Sequence, residues 1–276
     1  MKKKALIAAA AAAALALAAC GGNGGGDGDG DGDGVTIGIK FDQPGLGLKE
    51  ADGSFSGFDV DVARYVAEKL GYAEGDITFV ESVSAQRETM IENGQVDMIF
   101  ATYSITDTRK EKVDFGGPYF VAGQDLLVRA DDTAITGPDA LDGKNLCSVA
   151  GSTSAQRIKD DHSAGVELYE AQTYSECVEF LVAGTVDAIT TDDIILAGFA
   201  NQAAYQGQLK VVGNTFSEEN YGVGIPKGSD LCQAINDAIS EMIDDGSWQQ
   251  ALTDNAGADY QFDAAMNPPT PGGNCG

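Results

Sequence analysis

Between Val35 and Ala256 the chain alternates short apolar runs with segments whose apolar residues recur at helical spacing. The first kind reads as buried strand, the second as amphipathic helix. Val35-Thr36-Ile37-Gly38-Ile39 is a buried strand. A turn-rich stretch follows, then a helix from about Asp59 to Leu70, whose Val62, Val66 and Leu70 fall on one face. Asp59 can cap its start and Gly71 its end. Ile77 to Val80 is a strand, Ser84 opens a second helix that stops at Gly94, and Asp97 to Ala101 is a strand. Thr106 or Asp107 caps a short, highly charged helix.

Beyond Gly123 the alternation starts again. Strands are predicted at Leu126 to Val128, Asn145 to Val149, Val166 to Tyr169, Val186 to Thr190, Leu209 to Val212 and Tyr221 to Ile225. Helices are predicted from about Ala155, around Cys177, Phe180 and Leu181 up to Gly184, from Asp192 or Asp193, and from Ser229 to about Ala256. The tail, Met266 to Gly276, is rich in Pro and Gly and is expected to be tied only through Cys275. Strands alternating with helices define an α/β protein. The repeat on either side of Gly123 predicts two lobes with a cleft between them. Open parallel sheets take ligands beyond the carboxyl ends of their strands. The residues after Ile39, Phe100, Val149 and Ile189 are therefore the ones to inspect.

The first residues change the picture of where the protein works. Met1-Lys2-Lys3-Lys4 precedes an apolar run from Ala5 to Ala19 that ends at Cys20. A basic start, an apolar stretch and small residues before the break read as a secretory signal, shorter than the roughly 20 residues of a membrane span. Leu17-Ala18-Ala19-Cys20 resembles the lipobox of bacterial lipoproteins, which implies that Cys20 is diacylated; two acyl chains suffice for stable anchoring. Residues 21–34, rich in Gly and Asp, read as a flexible tether. Asp27, Asp29 and Asp31 imitate the start of a calcium loop, but the twelfth position is Gly38, where a bidentate Glu is required, so no metal is expected.

The net charge is −26, or −29 once Lys2, Lys3 and Lys4 leave with the signal. Such a surface repels nucleic acid and anionic headgroups. It also repels an anionic ligand at long range, so an acidic ligand would need a local cluster of cations. Besides Cys20 there are Cys147, Cys177, Cys232 and Cys275, which allow three pairings in an oxidising exterior. Cys147–Cys177 and Cys232–Cys275 are favoured because each joins segments assigned to one lobe; the other pairings stay open. His162 is the sole histidine and no CxxC occurs. Structural zinc and a Ser-His-Asp hydrolase are thus poorly provided for.

Several stretches resemble one family in order along the chain. They are Gly57-Phe58-Asp59-Val60-Asp61, Asn93-Gly94-Gln95-Val96-Asp97, Ser104-Ile105-Thr106-Asp107-Thr108-Arg109, Val113-Asp114-Phe115 with Pro118-Tyr119, Leu141-Asp142-Gly143-Lys144, Val186-Asp187-Ala188 and Tyr221-Gly222-Val223-Gly224-Ile225. The family is solute-binding family 3, the polar amino-acid receptors of bacterial ABC importers, and the likeness covers about residues 35–256. Lys40 to Leu48, Ser84 to Thr89, Ala101 to Ser104 and Leu146 to Val149 look more particularly like the glutamate receptors of actinobacterial uptake systems. The resemblance implies a two-lobed periplasmic-binding-protein fold with a hinge and a central cleft. Its crossings would fall near Tyr119–Gln124 and Ser217–Tyr221. The expected organisation is a signal at 1–19, lipidated Cys20 and tether at 20–34, lobe 1 at 35–121 plus 219–262, lobe 2 at 122–218, and a tail at 263–276. The implied function is capture of an amino acid, glutamate first, by hinge closure and delivery to an ABC permease from the outer face of the cytoplasmic membrane. No cofactor is implied.

The same resemblance implies a set of site residues. Arg109 occupies the position of the α-carboxylate arginine, although by itself it could be a solvated arginine in a charged run; a guanidinium can fork onto a carboxylate with paired hydrogen bonds. Ser104 and the backbone of Ala101 and Thr102 would add bonds to the same end of the ligand. Ser152 and Thr153 lie where a helix begins, and free N–H groups there favour anions; their plainer role is capping. Asp192 would take the ammonium group, with Asp193 the rival for the helix cap. Lys40 and Arg87 are the cations left to read an acidic side chain, each being otherwise an ordinary surface charge. Phe41 would be an apolar wall or core. A dehydratase of the same fold would need a general acid or base at a ring-sized pocket. A sensor module would carry a span and an effector, and neither is expected here. Aspartate and glutamine are the close competitors as ligand.

Overall fold

The computed structural model describes residues 34–162, 165–256 and 260–276. The signal segment, Cys20 and all of the tether but Gly34 lie outside the described residues. The first strand, β1 (Val35–Ile39), is buried because Val35, Ile37 and Ile39 supply one apolar face. The chain then makes a small antiparallel meander of β2 (Asp42–Gln43), β3 (Gly47–Lys49) and β4 (Phe55–Ser56), followed by α1 (Phe58–Lys69). Next come β5 (Ile77–Glu81), α2 (Arg87–Glu92), β6 (Met98–Ile99), α3 (Asp107–Lys110) and the long β7 (Val113–Ala122). β1 pairs in parallel with β5 on one side and β6 on the other.

After Gly123 the chain enters a second sheet. It comprises β8 (Gln124–Arg129), β9 (Asn145–Val149), α4 (Thr153–Asp161), β10 (Glu167–Ala171), α5 (Tyr174–Val182), β11 (Ala188–Asp192), α6 (Asp193–Ala200) and β12 (Leu209–Val211). Residues 212–218 lead back to β13 (Glu219–Pro226), which lies antiparallel to β7 in the first sheet. α7 (Leu231–Asp244) and α8 (Ser247–Ala256) complete that lobe. The strand orders are β5-β1-β6-β13-β7 and β10-β9-β11-β8-β12. In each sheet three neighbouring strands run parallel, so the carboxyl ends of both sets face the seam between the lobes.

Each sheet buries both faces. In the second, Leu146 packs with Leu126, Val128 and Ile158 of α4 on one face, while Cys147 and Val149 pack with Val178 and Leu181 of α5 on the other. Cys147 is bonded to Cys177 across that layer, and Cys232 of α7 to Cys275, with Cα separations of 5.6 and 5.7 Å. In the first lobe Trp248 is buried and donates its indole N–H to Tyr119 O at 2.7 Å, fastening α8 to the crossing strand.

Several expectations need correction. The stretch read as turns after Ile39 contains the meander. The strand expected over Asp97–Ala101 shrinks to Met98–Ile99 in the ladder, because the chain then turns at Thr102. β7 was invisible as one strand because Gly116, Gly117 and Pro118 interrupt it, residues that usually weaken a strand interior. The helix expected from Ser229 to Ala256 is broken at Asp245–Gly246 into α7 and α8. Asp59 does not cap α1: Gly57 holds the N-cap position, and the Asp59 carboxylate turns inward. The tail is held by more than Cys275. Asn267 exchanges hydrogen bonds with the backbone of Val121 at 2.9 and 2.8 Å, and Gly272 N donates to Gly117 O.

Candidate ligand-binding site

The carboxyl ends of the parallel strands enclose a small, tightly closed cavity between the lobes. Arg87, Thr102 and Arg109 line it from the first lobe, and Ser152, Thr153 and Asp192 from the second. These six were expected together from the sequence. Gln43, Ser84, Ser154, Tyr174, Thr191 and Ile195 complete the wall and were not singled out. Their side chains carry no charge, so no electrostatic signal distinguished them.

Arg87 opens α2 and is 2% exposed; Arg109 lies in α3, whose start is capped by Thr106 accepting from Arg109 N at 3.2 Å. Their guanidinium carbons stand 5.0 and 4.8 Å from the centroid of the Tyr103 ring. Such a ring face attracts cations. Glu88 binds both partners of this arrangement, accepting from Tyr103 Oη at 2.8 Å and standing 3.3 Å from Arg109 Nε. Arg109 Nη1 donates to Ser104 O at 2.8 Å, and Nη2 reaches across the seam to Gly151 O at 3.2 Å. A guanidinium has five N–H donors, so these contacts leave some for a ligand. Burial, and next the charge of Arg109, lower the affinity of Arg87 for its proton. Arg87 Nε has no hydrogen-bond partner among the described residues.

Lys40, Ala101 and Ser104 stand outside the cavity wall. Lys40 is buried, but its Nζ lies 3.4 Å from Asp42 Oδ1, an ion pair within the first lobe. Burial lowers the Lys40 pKa, Asp42 opposes that shift, and Arg87 adds to it. Ala101 offers its carbonyl to Thr102 Oγ1 at 2.7 Å, and Ser104 Oγ lies 3.4 Å from Thr153 Oγ1 across the seam. Phe41 packs against Phe55, with centroids 5.1 Å apart, in the meander.

Asp192 ends β11 and takes the N-cap position of α6, but its side chain makes no cap bond. Oδ2 accepts from Tyr221 Oη at 2.6 Å, and Oδ1 has no partner among the described residues. Asp193 instead accepts from the Gly123 and Ile194 amides. Burial raises the Asp192 pKa well above the carboxylate range, with Glu219 adding to it. A cation beside Oδ1 would restore the charge. On the facing helix Ser152 caps α4, accepting from Ala155 N at 2.9 Å.

Thr102 has φ +46°, uncommon for a β-branched residue. Asp59, fully buried, accepts the Thr102 amide at 2.9 Å and the Tyr119 hydroxyl at 2.7 Å. It thereby holds the turn that presents Thr102 to the cavity.

A cleft of this build between two α/β lobes belongs to a known class. The chain is a member of the bacterial extracellular solute-binding proteins, family 3, whose family pattern matches residues 35–257. The glutamate-binding protein GluB of Corynebacterium efficiens is 52% identical over 238 residues, covering 82% of this chain and 80% of that protein. Among solved structures, an ancestral arginine-binding protein bound to arginine is 34% identical with a TM-score of 0.73, over 79% of this chain and 95% of its own. The GluR0 ligand-binding core from Nostoc punctiforme, in complex with (L)-glutamate, is 27% identical with a TM-score of 0.69, over 79% of this chain and 96% of its own.

Proposed function

We propose that this protein captures glutamate between its lobes and delivers it to the permease of an ABC importer, held at the outer face of the cytoplasmic membrane by lipid on Cys20. The observation that carries the ligand reading is the convergence of two buried guanidiniums and one buried carboxylate on one small cavity of a protein with net charge −26. Asp192 Oδ1 receives the ammonium group. Arg109 and the start of α4, with Ser152 and Thr153, receive the α-carboxylate. Arg87 Nε receives the side-chain carboxylate, with the Lys40 charge adding positive potential from behind the wall. A carboxylate buried without such a partner would cost several kcal/mol. The 52% identity to a glutamate-binding protein supports the same ligand. The lipid and permease parts rest on the sequence before Cys20 and on the family.

Closure supplies the work of capture. Ligand contacts from Ser152, Thr153 and Asp192 exist only when the lobes meet, and that difference in contact energy shifts the equilibrium toward the closed form. Titrating ligand-free protein with the twenty amino acids in a calorimeter tests this. Glutamate should bind tightest, with aspartate and glutamine weaker; silence toward glutamate would sink the reading.

A further inference from the structure

The turn after β1 makes contacts across the seam that the ligand site does not need. Asp42 Oδ2 accepts from Tyr174 N at 2.9 Å and Ser175 N at 3.4 Å, the first two amides of α5 on the opposite lobe. α5 already has its own cap. Thr173 Oγ1 accepts from Glu176 N, and Glu176 Oε2 accepts from Thr173 N, both at 3.3 Å. The four amides that a helix start leaves orphaned are thus shared between the lobes, two served from within and two by Asp42. Two residues on, Pro44 meets α6. A Cβ placed on Gly198 would collide with Pro44 O, so the seat admits nothing larger than glycine there. Tyr174 and Ile195, which line the cavity, lie on these same two helices.

We propose that the turn Asp42–Pro44 is a closure latch. Asp42 and Pro44 touch no ligand, yet their seating on α5 and Gly198 fixes how long the cleft stays shut. The proposal rests on the reading that the protein closes around an amino acid. It gives Asp42 a positioning role distinct from that of the cavity cations: its Oδ1 faces Lys40, while its Oδ2 spans the seam. The contacts vanish when the lobes part, so they slow release and leave arrival of the ligand alone.

Asp42→Ala and Gly198→Ala test this in the full chain, with release and association of labelled glutamate and small-angle scattering as readouts. Both variants should release glutamate at least ten times faster while association changes less than threefold. Scattering should show incomplete compaction at ligand concentrations that compact the wild type. Gly198→Ala should also raise the unfolding temperature of the ligand-free protein, since alanine is the better helix residue; a variant that is more stable but holds ligand more weakly has lost closure and kept its fold. Release within twofold of wild type in both variants overturns the latch. Wild type that ignores glutamate overturns only the ligand assignment. The latch is then scored on whichever of the twenty amino acids compacts the wild type, and equal compaction of the variants overturns it. Compaction by none overturns both.

Discussion

Tyr221 and Asp192 belong to different lobes, and the hydroxyl of the first donates to Oδ2 of the second at 2.6 Å. Tyr221 is fully buried in β13, so the hydroxyl is held in place by the lobe it comes from. It favours the charged form of a carboxylate that burial otherwise drives toward protonation.

Tyr221→Phe keeps the ring and removes that donor. Leaving a buried acceptor unsatisfied costs about 1–3 kcal/mol, so affinity for an amino acid should fall roughly tenfold. Because the lost bond supported the ionised form, the Asp192 pKa rises further. The loss should therefore be greater at pH 6 than at pH 8, which calorimetry at the two values would check.

Arg109→Ala should abolish binding of every amino acid, whatever its side chain. The substitution removes a ligand donor and also the bond from the first lobe to Gly151 O, and it takes from Glu88 the cation it pairs with, leaving the Tyr103 hydroxyl. A loss of less than tenfold for glutamate and glutamine alike would show that the α-carboxylate is held elsewhere.

Arg87→Ala separates side-chain reading from backbone reading. Removing one partner of a buried, hydrogen-bonded charge pair costs about 2–5 kcal/mol, so glutamate affinity should fall about 30-fold or more. Glutamine should lose far less. Equal losses for the two ligands would remove Arg87 from specificity.

The sequence and the fold agree best where a site residue follows a parallel strand. Arg109, Ser152, Thr153 and Asp192 could be placed because strand ends, caps and a family motif all pointed to the same stretches. Lys40 lies just after β1, ahead of a bend at Phe41, and its Nζ stands 3.4 Å from Asp42 Oδ1 behind the cavity wall, a pairing that no periodicity announces. Asp59 sits in the first turn of a helix, where capping is the default reading, and its true partners lie 43 and 60 residues on. Tyr221 gave no local sign of its bond to a residue 29 positions earlier. Contacts made only when two lobes meet leave no periodicity to read.

Disulfide loss should separate folding from recognition. Replacing both Cys232 and Cys275 by Ser opens a link between residues 43 apart, worth about 4 kcal/mol by the chain-entropy estimate. Cys232 lies in the first lobe and Cys275 in the tail bonded to it, both away from the cavity wall. The unfolding midpoint should fall, while glutamate affinity at about 20 °C stays within threefold of wild type. A large loss of affinity at a temperature where the variant is folded would mean that the tail shapes the cleft.

Asp59 makes a prediction about pH that does not depend on closure, because both of its partners sit in its own lobe whether the cleft is open or shut. Burial raises its pKa from 3.8 to about 6, against the bonds from Tyr119 and Thr102 that lower it. A group whose folded pKa is raised stabilises the fold fully below its unfolded value, and that contribution is lost as pH rises through the folded one. The shift corresponds to about 3 kcal/mol, an order-of-magnitude figure, drawn down between about pH 4 and pH 6. In the Asp59→Asn variant the amide cannot ionise and still offers one oxygen to the Thr102 backbone N–H. The stability advantage of wild type over this variant should therefore shrink by that amount from pH 4 to pH 7, as read from paired urea titrations. An advantage that grows with pH would mean the carboxylate is charged throughout, and that the Thr102 turn rests on an anion.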